Sequence, residues 1–138
     1  MALKFNNKIK LSWDDLETLV DKLCEKIPFE TPTVDSVTGI ARGGLIPAVM
    51  VSHKTGLPYV DAVGPNTLVI DDIADSGVTL QNSPGIYTAV LHYKPHTSSF
   101  KPSIWAEEHK GDEWQIYPWE KLDSIAIQDY LKEEVIYR

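Results

Sequence analysis

Apolar residues recur at helical spacing between Trp13 and Ile27, where Trp13, Leu16, Leu19, Val20, Leu23, Cys24 and Ile27 share one face. Ser12 stands in the capping position, Asp15 follows three residues on as its reciprocal acid, and Pro28 comes just past the end. Pro32 then marks a short connection. Shorter apolar runs follow, at Ser36 to Ile40, Tyr59 to Val63, Thr67 to Asp71, Ile86 to Tyr93 and roughly Ser103 to Glu108, each bounded by turn-forming residues. These read as strands. The first is followed by a tight loop, Ala41-Arg42-Gly43-Gly44, and then by a helix over Leu45 to Lys54. Pro47 is tolerated in the first turn of that helix, and Gly56 supplies its stop. Pro118 argues for irregular chain over Trp114 to Trp119, and Leu122 to Leu131 reads as a terminal helix capped by Asp123 or Ser124. Strands alternating with short helices predict an α/β fold with a mostly parallel central sheet of about five strands, flanked by helices.

With 138 residues and no repeat, low-complexity tract or linker, the expected organisation is a single domain over 1–138. A formal charge of −7 argues against a nucleic-acid or anionic-membrane surface, because both depend on clustered Lys and Arg. Cys24 is the sole cysteine, which excludes an internal disulfide or a cysteine metal cluster, and its place in the apolar stripe marks an inert thiol. No apolar run has transmembrane length, and Met1 to Lys10 lacks the apolar core of a signal peptide, so a cytoplasmic location is expected.

The chemistry concentrates in Leu68-Val69-Ile70-Asp71-Asp72-Ile73-Ala74-Asp75-Ser76-Gly77-Val78-Thr79. An apolar strand there delivers carboxylates to a loop of small residues and hydroxyls, and ligands of open α/β sheets bind beyond the strand carboxyl ends. Asp71 and Asp72 suit a divalent cation or a sugar diol. Ser76, Gly77, Val78 and Thr79 suit a phosphate, with backbone N–H groups and hydroxyls as donors. A phosphorylated sugar with free hydroxyls reconciles the two halves. The chain has neither Gly-x-x-x-x-Gly-Lys-Ser/Thr nor Gly-x-Gly-x-x-Gly, which excludes those two nucleotide-binding motifs. In Gly39-Ile40-Ala41-Arg42-Gly43-Gly44-Leu45, paired glycines allow close approach of N–H groups to an anion, and Arg42 offers a cationic fork. The bland alternative for the acidic run is a solvated acidic loop after a core strand, whereas the glycine stretch taken alone fits equally a glycine turn with a surface arginine. Lys94 alone reads as a surface lysine and Trp114 as a half-buried anchor. His53, His92, His96 and His109 have no metal-ligand spacing, although His92 falls near the end of its strand.

The acidic run resembles the signature loop of the type I phosphoribosyltransferases: apolar residues, two acids, two variable residues, Asp, Ser or Thr, Gly, a variable residue and Thr. Ile40 to Val49 is similar to the Arg-Gly-Gly-Leu-Val/Ile-Pro stretch of bacterial xanthine–guanine phosphoribosyltransferases. Leu91-His92-Tyr93-Lys94-Pro95 and the Trp-x-x-x-Pro-Trp segment from Trp114 to Trp119 are similar to their purine-site segments. The resemblance runs from about Ser12 to Trp119 and implies the type I fold with a small C-terminal base-binding segment. It implies transfer of phosphoribosyl from 5-phosphoribosyl-1-pyrophosphate to a 6-oxopurine, with Mg2+ as cofactor. By the same resemblance Asp75 is the candidate general base, and Asp71, Asp72, Asp75, Ser76, Gly77, Val78 and Thr79 hold the ribose and its phosphate. Arg42, Gly43 and Gly44 hold pyrophosphate, Asp72 and Asp71 hold the metal, and Lys94, Trp114 and Gln115 bind the purine. Trp119 is assigned to packing. A homo-oligomer, dimer or tetramer, is expected, with Trp105 or Tyr87 as interface residues.

Two departures from the family stand out. Its members insert a long hood between the second and third strands, where this chain has only Ala62 to Asn66. The helix after the phosphate loop is cut short as Leu80-Gln81-Asn82 runs into Ser83-Pro84-Gly85. The alternative function is therefore a non-catalytic sensor of the activated sugar or of a nucleotide. A sensor of the sugar needs no purine pocket, so Asp75, Lys94 and Trp114 favour the enzyme.

Overall fold

Among the described residues the longest strand carries the first two carboxylates of the acidic run, Asp71 and Asp72. In the computed structural model, which describes residues 3–5, 7–28, 34–75, 77 and 87–121, the elements in chain order are β1 (Leu3–Phe5), β2 (Lys8–Lys10), α1 (Trp13–Glu25), β3 (Ser36–Gly39), α2 (Leu45–Thr55), β4 (Thr67–Ala74), β5 (Tyr87–Tyr93), β6 (Ile104–Glu108) and β7 (Trp114–Ile116). Contacts group the chain into two units, 19–110 and 1–18 with 111–138, and the division falls within α1 after Thr18.

The 19–110 unit is built on a four-stranded parallel sheet in the order β3-β4-β5-β6. Leu68, Val69 and Ile70 are consecutive and all buried, as expected of a central parallel strand covered on both faces. α2 packs on β3 and β4, placing Ala48 and Val51 in the core with Val37 and Leu91. The helix ends at Gly56, whose N–H bonds to the Ser52 carbonyl at 2.9 Å, as the sequence predicts.

Three strand expectations change in this unit. The run Tyr59 to Val63 is not a strand: Tyr59 makes an isolated bridge to Val37, and the chain then turns away. Asp61 and Ala62 are exposed, and the Gly64 N–H bonds to the Thr67 hydroxyl at 2.8 Å, folding the connection back onto β4. Among the described residues the sheet therefore has four strands, where about five were expected. β4 also runs on to Ala74, because Ile73 and Ala74 pair with His92 and Tyr93 of β5. The strand expected to end at Asp71 thus carries both Asp71 and Asp72.

The second unit contains a three-stranded sheet in the order β1-β2-β7. β1 and β2 pair antiparallel with Phe5 opposite Lys8, and Asn7 has φ 60°, the left-handed turn conformation asparagine tolerates. β7 lies parallel to β2, with Gln115 opposite Ile9, so Trp114 to Ile116 is a strand where irregular chain was expected. Only beyond it does Pro118 hold an irregular turn, in which Trp119 stacks on Tyr117 with centroids 5.1 Å apart, the packing role expected of it. The predicted cap at α1 is present: the Asp15 N–H donates to Ser12 Oγ at 3.0 Å, and the Ser12 N–H to Asp15 Oδ2 at 2.9 Å. The helix expected over Leu122 to Leu131 lies outside the described residues.

Candidate active site

Three segments meet at the carboxyl ends of β3, β4 and β5. The loop after β3 is fixed by backbone contacts. The Ile40 N–H bonds to the Ile70 carbonyl at 2.8 Å, and the Gly44 N–H bonds to the Ile40 carbonyl at 2.8 Å. The Ala41–Arg42 peptide is cis, and the Arg42 side chain lies in an exposed part of the loop. Both glycines stand at close approaches, Gly44 to main chain and Gly43 to a side chain. A Cβ at Gly44 would overlap the Ile70 carbonyl oxygen and come within 2.8 Å of the Ile40 nitrogen, while one at Gly43 would overlap the Asp72 carboxylate. The expected pyrophosphate loop, Arg42-Gly43-Gly44, is therefore seated directly against Asp72.

Adjacent strand residues point to opposite faces, so Asp71 and Asp72 leave β4 on different sides. Asp71 is buried, and its Oδ1 accepts the Asp72 N–H at 2.9 Å; Asp72 is half-buried, and its Oδ1 accepts the Ile73 N–H at 2.8 Å. Asp72 is the one that faces the glycine loop.

Asp75 begins the loop after β4, and Lys94 begins the turn after β5. The Lys94 N–H donates to the Ala74 carbonyl at 3.0 Å, and its ammonium lies 3.8 Å from Asp75 Oδ2. Lys94 is buried, only 5% exposed, so the residue that alone reads as a surface lysine is held within the site. Gly77, with φ 82°, packs where a Cβ would come within 2.5 Å of Ser98 Oγ and 2.7 Å of the Phe100 nitrogen. Beneath these loops lies an apolar cluster of Ala74, Val90 and Tyr93, with Ile40, Phe100 and Trp105 against it. Ser76, Val78 and Thr79 lie outside the described residues.

His92, two residues before Lys94, is buried, with Nε2 3.9 Å from Glu107 Oε1 and its ring edge on His109. Burial pushes its imidazole down to about 4, against the opposing pull of Glu107, and the charges of His109, Lys94 and Lys22 add to the depression. Glu107 is also ion-paired with Lys22. The sequence sets His92 apart from the other histidines by its alternation with Leu91 and Tyr93 near the strand end, beside the expected base site, but its burial against Glu107 was not legible there. Trp105, expected as an exposed interface residue, instead packs on Tyr93 with centroids 4.9 Å apart, and Tyr87 is half-buried. Cys24 is half-buried, and burial followed by the neighbouring Asp21 pushes its thiol up, which keeps it protonated and inert.

Trp114 and Gln115 belong to the other unit. Trp114 is half-buried, with its N–H bonded to the Asn7 carbonyl at 2.9 Å, and Gln115 is buried on β7. No helix among the described residues is long and apolar enough to cross a membrane.

No family model matches the chain. It is similar to the xanthine-guanine phosphoribosyltransferase of Cereibacter sphaeroides, at 26% identity over 145 residues that cover 80% of this chain and 85% of that one. Among solved structures it is similar to a purine phosphoribosyltransferase from Pyrococcus horikoshii, with TM-score 0.68, 25% identity, and coverage of 88% of this chain and 99% of that one. It is also similar to a hypothetical protein of Neisseria gonorrhoeae with bound ppGpp, with TM-score 0.66, 24% identity, and coverage of 88% and 93%. The resemblance in the loops thus extends over most of the chain, and the fold is that of the type I phosphoribosyltransferases.

Proposed function

We propose that this chain is a purine phosphoribosyltransferase that uses a 6-oxopurine, whether xanthine, guanine or hypoxanthine. A bond from a purine ring nitrogen to the sugar C1 forms as the bond from C1 to the pyrophosphate oxygen breaks. The observation that carries the reading is the Asp75–Lys94 pair at the ends of β4 and β5. At 3.8 Å the pair is too long for a hydrogen bond and is readily exchanged. The exocyclic oxygen of an arriving oxopurine takes the ammonium, an amino group does not, and Asp75 is left to accept the proton from the ring nitrogen. A sensor of the sugar phosphate alone has no use for this pair.

Arg42 and the N–H groups of Gly43 and Gly44 bind and stabilise the departing pyrophosphate. Asp72, on the side of the glycine loop, binds the ribose hydroxyls, and a part for the buried Asp71 rests on the family resemblance. The oxygen donors at this point suit Mg2+, which takes one or two carboxylates and completes its shell from substrate oxygens and water. Asp72, facing the pyrophosphate loop, is the better placed of the two to hold it. When bound, the ion neutralises the leaving pyrophosphate. Ser76, Gly77, Val78 and Thr79 as the phosphate cradle, and Trp114 and Gln115 as purine contacts, rest on the family resemblance.

A second reading, a nucleotide sensor, draws on the short connection at residues 60–66, which leaves no hood, and on the similarity to the ppGpp-bound protein. The two are separated by chromatographic assay with 5-phosphoribosyl-1-pyrophosphate, Mg2+ and each of xanthine, guanine, hypoxanthine and adenine. Nucleotide from an oxopurine and none from adenine supports the enzyme. Binding of ligand without any nucleotide supports the sensor.

A further inference from the structure

The turn after β5 does more than present Lys94. The N–H groups of Thr97 and Ser98 both donate to the Lys94 carbonyl, at 3.2 and 2.9 Å, closing a tight turn over residues 94–98. From that turn the Thr97 hydroxyl reaches Asp75 twice. Its Oγ1 lies 2.8 Å from the Asp75 backbone carbonyl and 2.8 Å from the Asp75 side-chain Oδ1. One hydroxyl hydrogen shared between two oxygens of the same residue ties the carboxylate to its own backbone and fixes its rotation. The other carboxylate oxygen, Oδ2, is then the one beside Lys94. Ser98, the next residue, packs over Gly77, so the same turn touches the loop on both sides of position 76.

We infer that Thr97 is a positioning residue that holds the Asp75 carboxylate in its proton-accepting orientation, with Oδ1 tied down and Oδ2 presented to the purine. The inference rests on the reading of Asp75 as the proton acceptor. On that reading, the group that recognises the purine oxygen and the group that orients the proton acceptor sit three residues apart on one turn. A carboxylate that must take a proton in the transition state gains from such a restraint, because misplacement of a reacting group costs rate rather than ground-state binding.

Steady-state nucleotide formation by the full chain, compared among wild type, Thr97→Val, Thr97→Ala and Thr97→Ser, tests the inference. Valine keeps the volume without the hydroxyl, alanine removes both, and serine restores the donor. The expected result is a fall in kcat of about tenfold for the valine and alanine variants, with KM for purine and for 5-phosphoribosyl-1-pyrophosphate held within about twofold, and recovery of most of kcat by serine. An active wild type with undiminished kcat in both hydroxyl-free variants overturns the inference alone. So does a loss that serine fails to restore, or one expressed as raised KM. A wild type that makes no nucleotide overturns the transferase reading, and the role of Thr97 falls with it.

Discussion

The loop after β3 and the turn after β5 approach the same strand ends by different means. In the first, backbone meets backbone: Gly44 lies against the Ile70 carbonyl, and Ile40 prolongs the β3–β4 pairing. In the second, one backbone bond from Lys94 to Ala74 is joined by side-chain contacts, with Thr97 on Asp75, Lys94 on Asp75, and Ser98 over Gly77. A backbone contact has no adjustable part, so the first loop tolerates only glycine at position 44, where it touches main chain. The side-chain contacts of the second can be altered one atom at a time without disturbing the sheet. The glycine loop therefore behaves as part of the fold, and the β5 turn as a means of tuning chemistry.

Gly44→Ala should have the largest effect. The added methyl group meets main-chain atoms that cannot move aside, and a loss of about 3 kcal/mol or more is expected, read from the urea midpoint. Next comes acid sensitivity at β5. His92 is held neutral, its imidazole pushed down to about 4 from an ordinary 6.5, chiefly by burial. Above the ordinary value it is uncharged in both folded and unfolded chains. As pH falls from about 6.5 toward 4 the unfolded chain takes the proton first, and about 3 kcal/mol of stability is lost. A His92→Gln variant should lack this component, so its urea midpoint should fall less than that of wild type over the same pH range.

Gly43→Ala comes third and separates fold from function. Its methyl group meets the Asp72 carboxylate, a side chain that can swing away, so the melting temperature should change little while transfer falls about 100-fold. If Gly43→Ala unfolds like Gly44→Ala, the distinction between backbone and side-chain seating fails at this position. Thr97→Val is the smallest of the series, at about tenfold in kcat, and marks the β5 turn as adjustable.

The same contrast explains what was legible in the sequence. Features set by neighbours in the chain were plain: the Ser12–Asp15 cap, the Gly56 stop, and the glycine pair after the first core strand. Features set by distant partners were not. β7 forms because Lys8, Ile9 and Lys10 lie alongside Trp114, Gln115 and Ile116, more than 100 residues away in sequence. β4 outlasts its apolar run because β5 supplies partners for Ile73 and Ala74, although two aspartates look like a strand end. Tyr59 to Val63 had strand-like composition but found a partner only at Tyr59. Within the site, the motif residues could be named from sequence, whereas the burial of Lys94 and the bond from Thr97 to Asp75 depend on the β4–β5 register.

Nucleotide formation by wild type and Asp75→Asn, with binding of 5-phosphoribosyl-1-pyrophosphate measured on the same preparations, addresses the central claim most directly. Wild type should convert an oxopurine to its nucleotide. The amide variant, which keeps the shape but cannot accept the proton, should still bind the sugar and lose about 100-fold in transfer rate. Equal rates in the two proteins, or a wild type that binds the sugar and transfers nothing, would contradict it.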